Sequence, residues 1–245
     1  MSVDNKEKTL VLIKPDALKL SLTGYVLSQL SELNTGLRIS AIKIVNVNNM
    51  LAEEHYAEHR GKFFYPSLID YITGRIHYPH EPAKRRVKVI VYQGEDAVKK
   101  IRKIAGPTNP HAAREQSPGC IRSLGTVIPL ENEAGEVVGN RMDNLIHASA
   151  TAEEAEREIK LWLRPDDIPP MIRQYNCQKA EEHFYYKDNQ LYDTYQPDSL
   201  CVVAPGDYVW ESDLEALRLI RQGSPAPCSL QSVVAKYLIN RDPEE

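Results

Sequence analysis

Residues 143–150 read DNLIHASA, and the stretch that follows, TAEEAEREIKLW, has the pattern of an amphipathic helix at its start. His147 thus stands where a strand-like run stops and a helix begins, among small and polar neighbours. Upstream, KTLVLIKP (8–15) is a nearly continuous apolar run halted by Pro15, the pattern of a buried strand. SLTGYVLSQLSELNTG (21–36) carries Val26, Leu30 and Leu33 at helical spacing, with Thr23 as candidate cap and Gly36 as candidate stop. LRISAIKIVNV (37–47) and RRVKVIVYQG (85–94) are strand-like, and the segment 50–74 reads as two short helices around Gly61. EDAVKKIRKIAG (95–106) predicts a helix ending at Gly106, and CIRSLGTVI (120–128) a fourth strand. The order β-α-β-α-α-β-α-β-(His)-α predicts an α/β (α+β) fold. Its plan is a ferredoxin-like split βαβ, with a four-stranded antiparallel sheet and surrounding helices.

This order accounts for residues 1–165, and the proline-rich RPDDIPP (164–170) marks a break. Seven of the thirteen tyrosines lie beyond it, a density uncommon in disordered chain, so the extension 166–245 is expected to be folded or docked. SLCVVAPGDYVW (199–210) reads as strand and turn. Ser212 and Glu215 form a candidate capping box for a helix ending at Gly223.

With 42% apolar and 26% charged residues in 245, the chain has the composition of a soluble globular protein. A net charge of −4 gives no global basic field for nucleic acid or anionic membrane, so any polyanion site must be local. No apolar run is long enough to span a bilayer, and the charged MSVDNKEKTL lacks the apolar core of a secretory signal. Cys120, Cys177, Cys201 and Cys228 are far apart and form no C-x-x-C pair, as expected of reduced thiols in a cytoplasmic protein.

A lone histidine beside apolar residues is most often structural, so the meaning of His147 depends on its company. Asn144 and Ser149 flank it, and Ala148 and Ala150 leave room for a ligand. Glu158, on the following helix, is spaced to accept a hydrogen bond from one ring nitrogen, which leaves the other unprotonated and nucleophilic. Lys14, Arg102, Thr108 and Arg122 stand near predicted strand and helix ends. A phosphate chain needs several donors from different elements, and arginine forks suit phosphoryl oxygens. Two histidine pairs, His55/His59 and His77/His80, have spacings that metals can use. Neither has an H-E-x-x-H pattern or a cysteine partner, so no protein metal site is expected.

TLVLIKPDAL, EEHYAEHRGKFFYPSLIDYI, IRKIAGPTNP, PGCIRS, NLIHAS and AEEAEREIKLW occur in this order, and together resemble the signature segments of nucleoside diphosphate kinases over residues 8–165. The resemblance implies transfer of the terminal phosphate of a nucleoside triphosphate to a nucleoside diphosphate, by a ping-pong route through a phosphohistidine. His147 would be the nucleophile and Glu158 its orienting carboxylate. Lys14 and Asn144 would hold the ribose, Lys14 also reaching the transferred phosphate, and Tyr56 would buttress the histidine. Arg102, Thr108 and Arg122 would bind the phosphates, with His59 and Ser149 as further nucleotide contacts. Phe64 would stack on the base beside Leu68, and stacking discriminates bases poorly. Mg²⁺ would arrive bridging phosphate oxygens. The family also implies a dimer-based tetramer or hexamer.

Four departures stand out. Ala148 and Ala150 replace the family's glycine and aspartate, which predicts room for the phosphoryl group but a looser turn. Arg122 survives without its usual flanks. Insertions lengthen 74–87, 110–118 and 123–143, the last reading as a hairpin around Gly135 that is a candidate lid, oligomer contact or plain surface hairpin. The extension far exceeds the family's short C-terminus. The competing reading is a scaffold of the same fold with weak or no transfer activity.

Overall fold

The computed structural model describes residues 7–240; the N-terminal reading of residues 1–6 lies outside the described residues. Strand β1 (Lys8–Ile13) is followed by helices α1 (Pro15–Lys19), α2 (Thr23–Gln29) and α3 (Glu32–Thr35), then β2 (Arg38–Val45). Next come α4 (Asn49–His55), α5 (Tyr65–Ile72), β3 (Val87–Gln93), α6 (Ala97–Ala105) and α7 (Pro110–Gln116). A hairpin of β4 (Thr126–Glu131) and β5 (Val137–Asp143) leads into β6 (Ile146–Ala148) and α8 (Ala152–Trp162).

The main sheet has the order β2-β3-β1-β6 with every pair antiparallel, the expected split βαβ plan. Central β1 is buried along its whole length, because helices cover both faces of the sheet. That explains its continuous rather than alternating apolar run. Leu10 and Leu12 pack with Leu51, Ala52, Ile159 and Trp162 from the α4 and α8 side. Val11 and Ile13 pack with Val26, Leu30 and Ile101 from the α2 and α6 side. Ile146 and Ala148 of β6 join this second cluster. Strand alternation therefore turns His147, opposite Leu12, toward α4 and α8.

The fourth strand differs from expectation. Ile121–Leu124 is a 3-10 turn, and Thr126–Val127–Ile128 belong to the hairpin; the fourth strand of the sheet is β6, which carries His147 itself. Three residues are too few for periodicity to reveal. The single helix expected over 21–36 is split into α2 and α3 at Ser31, whose side chain caps Asn34 N. Thr23 opens α2 but makes no cap, and Leu33 is 94% exposed rather than buried. Helix α7 occupies the lengthened segment 110–118, for which the sequence reading names no element.

Beyond residue 165, β7 (Cys177–Lys179) pairs with β11 (Tyr208–Trp210), and β8 (Phe184–Lys187) lies between β9 (Gln190–Tyr192) and β10 (Leu200–Val203). Helices α9 (Glu211–Arg221) and α10 (Leu230–Val234) cover them, around a cluster that includes Phe184, Val203, Leu217 and Val233. Ser212 does not cap α9; the helix starts at Glu211 directly from the strand, with Glu211 N bonded to Asn176 O. Ile168, Trp210 and Ala235 belong to the same apolar cluster as the sheet's first face, and Trp210 Nε1 donates to Leu163 O (2.7 Å). No helix among the described residues is long and apolar enough to cross a membrane.

Candidate active site

Helix α4 delivers His55 and Tyr56, β6 delivers His147, and α8 delivers Glu158. All four border one cleft of about 630 Å³, and Lys14, Arg102, Thr108, Arg122 and Asn144 border the same cleft. The cationic and polar groups singled out in the sequence thus converge from five separate segments. His59, Phe64 and Leu68 also line it. Ser149 does not: it is fully buried, and its hydroxyl donates to Glu158 Oε2 (2.6 Å) and accepts from Leu10 N (3.1 Å). It reaches the cleft only through Glu158.

The His147 ring, 19% exposed, has Nε2 2.8 Å from Glu158 Oε1. The contact falls short of a well-aligned N–H···O bond. Nδ1 is the nitrogen on the side away from that carboxylate. Burial by itself would raise the Glu158 carboxyl. The neighbouring His147, His55 and the Ser149 hydroxyl outweigh it and hold the group at about 2. His55 packs edge-on against His147 at 4.6 Å and accepts from Trp162 Nε1 on Nδ1 (3.2 Å). Burial first, then the His147 charge, keeps His55 well below the usual imidazole range, hence neutral. The Tyr56 hydroxyl is buried without a partner among the described residues, and burial raises it.

Lys14 is buried, its Nζ donating to Asn144 Oδ1 (2.8 Å), and Asn144 Nδ2 donates to Thr108 O (2.8 Å). Burial lowers the Lys14 ammonium to about 8, with Asp16 partly opposing. Arg122 is buried with Nη1 on Gly106 O (2.8 Å); burial, then the Arg102 charge, brings it down to about 10. Desolvated cations packed this tightly are costly unless an anion joins them.

Between Asn144 and His147 the backbone is strained: Leu145 has φ +69°, and Ile146 N bonds Asn144 O at 2.7 Å, a γ-turn. Such a turn costs on the order of 1–3 kcal/mol. It is held by Leu145 N on Asp16 Oδ2 (2.9 Å) and Lys14 N on Leu145 O (2.9 Å). The Pro-Asp pair after Lys14 is thereby explained: Asp16 fixes the loop that aims the histidine. On the other side, the turn expected to loosen is pinned, because Ala150 N donates to Glu154 Oε2 (2.9 Å) and Thr151 Oγ1 caps Glu154 N (3.1 Å).

Sequence reasoning missed two groups. His55 was weighed only as half of a metal pair; its place behind His147 depends on α4 crossing β6, which no local pattern encodes. The hairpin is readable from its turn, but the placing of Val138 to Met142 as one wall of the cleft is not. Within the described residues, the His/Cys/Asp/Glu group close enough to share a cation is His55, His147 and Glu158. Two imidazoles and one carboxylate do not suit Mg²⁺, which prefers oxygen ligands; the basic cleft fits a cation that travels on nucleotide phosphates.

The family model for nucleoside diphosphate kinase matches residues 7–168. A nucleoside diphosphate kinase of Pyrococcus furiosus is 39% identical over 184 residues, covering 75% of this chain and 96% of that protein. One from Methanocaldococcus jannaschii is 38% identical over 163 residues, covering 66% and 97%. Among solved structures, the Aquifex aeolicus nucleoside diphosphate kinase superposes with a TM-score of 0.52 at 29% identity, covering 67% of this chain and 99% of that one. A Halobacterium salinarum nucleoside diphosphate kinase in complex with CDP gives 0.51 at 30% identity, covering 67% and 92%. The chain belongs to the nucleoside diphosphate kinase family, enzymes that move phosphate between nucleotides.

Proposed function

We propose that the chain transfers the terminal phosphate of a nucleoside triphosphate to a nucleoside diphosphate in two half-reactions through His147. In the first, the Nδ1 lone pair attacks the γ-phosphorus, a P–N bond forms, the bond to the β–γ bridging oxygen breaks, and the nucleoside diphosphate leaves. In the second, a terminal oxygen of another diphosphate takes the phosphoryl group and the ring is restored. Glu158 orients the ring and offsets the charge it gains; Ser149 and His55 hold Glu158 and the ring in place. Lys14 and Asn144 hold the ribose, Lys14 also meeting the transferred phosphate, while Tyr56 offers its unpartnered hydroxyl beside it. Arg102, Thr108, Arg122 and His59 bind the phosphate chain; Phe64 and Leu68 bracket the base. Mg²⁺ arriving with the nucleotide would supply charge neutralisation, held by the phosphates that Arg102, Thr108 and Arg122 bind. The CDP carried by the Halobacterium salinarum relative supports a nucleotide in this cleft.

The observation that carries this reading is the opening of the His147 ring, backed by a buried carboxylate, into the cleft that Lys14, Arg102, Thr108 and Arg122 share. The cost of burying Lys14 and Arg122 is recovered when a polyphosphate enters. The work is assigned to the cytoplasm, with a dimer-based oligomer as the assembly; sizing chromatography checks the second point. His147→Ala is expected to bind ADP with near wild-type affinity in calorimetry while losing transfer from ATP to GDP. An alanine variant that still transfers phosphate removes the proposal.

A further inference from the structure

The hairpin inserted between Arg122 and Asn144 carries five consecutive residues, Val138 to Met142, along the cleft. Two independent contacts fix it there. At its outer part, Phe63 lies directly on the backbone of Gly139: a Cβ at Gly139 would sit 1.9 Å from Phe63 Cζ. Phe63 in turn meets Phe64 edge-on at 5.4 Å, so the hairpin is joined to the end of the cleft where Phe64 and Leu68 stand. At its base, His77 Nε2 contacts Asp143 Oδ2 (2.9 Å), tying β5 to the lengthened segment ahead of β3.

Arg141 lies between these two anchors and borders the cleft. Its Nε donates to Asp143 Oδ1 (2.7 Å) and its Nη2 to Asp143 Oδ2 (3.3 Å), an arrangement that fixes the guanidinium plane. Asp143 is itself held by His77, and its carboxyl lies below the usual range: burial pushes it up, but bonds from His77 and Arg141 prevail. Two of the three guanidinium nitrogens are thus occupied, while Nη1 makes no hydrogen bond to any described residue. The side chain is only 16% exposed, yet Nη1 is not sealed from solvent and remains open to a partner.

Resting on the phosphotransfer reading above, we propose that the hairpin is a third wall of the nucleotide cleft and that Arg141 donates from Nη1 to the base. A guanidinium offers donors only, so its better partner is an exocyclic keto oxygen at the base edge, as in guanine and uracil, where adenine presents a competing amino donor and only ring nitrogens as acceptors. Stacking on Phe64 would remain indifferent to the base, and Arg141 would add a modest preference on top of it.

The test measures dissociation constants for GDP, UDP and ADP by calorimetry, with Mg²⁺ present, for the full chain and for Arg141→Leu and Arg141→Lys. A hydrogen bond to a charged donor predicts that GDP and UDP weaken about tenfold in Arg141→Leu while ADP changes little, with Arg141→Lys between the two. Equal loss for all three diphosphates, or no loss, overturns the role given to Arg141. Gly139→Val keeps the wall testable if the arginine variants unfold. It must displace Phe63, and it is expected to weaken all three diphosphates with circular dichroism unchanged; unchanged affinities with Phe63 displaced overturn the wall. Failure of the unaltered chain to bind any diphosphate sinks the phosphotransfer reading instead, which separates the two outcomes.

Discussion

At the scale of single residues, the site depends on charges held where water cannot reach them. Glu158 titrates at about 2 in the folded chain against an ordinary 4.5. A depressed carboxylate stabilises the fold above its unfolded value, and that contribution is lost as pH falls from about 4.5 toward 2. The shift corresponds to roughly 3 kcal/mol. Glu158→Gln should therefore flatten the acid-side fall of the melting temperature between pH 5 and pH 2, measured by scanning calorimetry; parallel curves contradict the assignment. The same substitution weakens the orientation of His147. It is expected to lower kcat on the order of tenfold to a hundredfold with little change in nucleotide KM, the worth of a positioning contact with the nucleophilic ring. Lys14 runs with the opposite sign: its ammonium is lowered to about 8 by burial, so the free enzyme loses this charge as pH rises through 8. KM for a nucleoside diphosphate should climb between pH 8 and pH 10, and a flat profile would remove Lys14 from the phosphate site. These residues were legible in the sequence because each sits in a motif with fixed local spacing. His55 and Arg141 were not, since their roles arise from contacts between elements far apart in the chain.

At the scale of elements, α6 ends at Gly106, whose φ is +81° and whose carbonyl anchors Arg122. A Cβ there would stand 2.1 Å from Cys120 Sγ. Gly106→Ala combines left-handed backbone with overpacking, and should cost about 1–3 kcal/mol in urea unfolding while raising KM through the displaced Arg122. A neutral result would mean that the α6–Cys120 contact adjusts freely. For β1 and β3, long apolar runs announced two-faced burial; for β6, three residues between a γ-turn and a helix cap gave no periodic signal. CIRSLGTVI took its place in the sequence reading because its composition favours strand. In the fold, Arg122 turns inward to Gly106 O and Ile146 O, which ends the extended run before β4 begins. The hairpin itself was recognisable from its turn. The direction in which it leans was not, because Phe63 and His77, which fix that direction, lie more than sixty residues upstream.

At the scale of the whole molecule, the extension and the sheet share one apolar cluster through Ile168, Trp210 and Ala235. Helix α10 also reaches α4 by way of Ser229 and Ser232, which both donate to Glu54 Oε2, one residue before His55. We therefore expect one cooperative thermal transition for the full chain, and Trp210→Ala to cost about 3–5 kcal/mol with the whole transition shifted. Two separated transitions would show that the extension is energetically independent. The aromatic density after the proline break suggested a folded tail, but nothing in its sequence identified the face on which it docks, since docking is decided by Leu163 and by surfaces of α4 and α8. Seen at this scale, the extension buttresses from behind the two helices that carry Tyr56 and Glu158, and the hairpin walls the cleft from in front. In the proposed reaction His147, which stands between them, is the residue that accepts the covalent bond. The most direct measurement is to incubate the chain with γ-labelled ATP and Mg²⁺, digest it, and map the label. The account predicts acid-labile, alkali-stable label on the peptide containing His147, discharged when GDP is added; label on a serine, or no label while transfer proceeds, would contradict it.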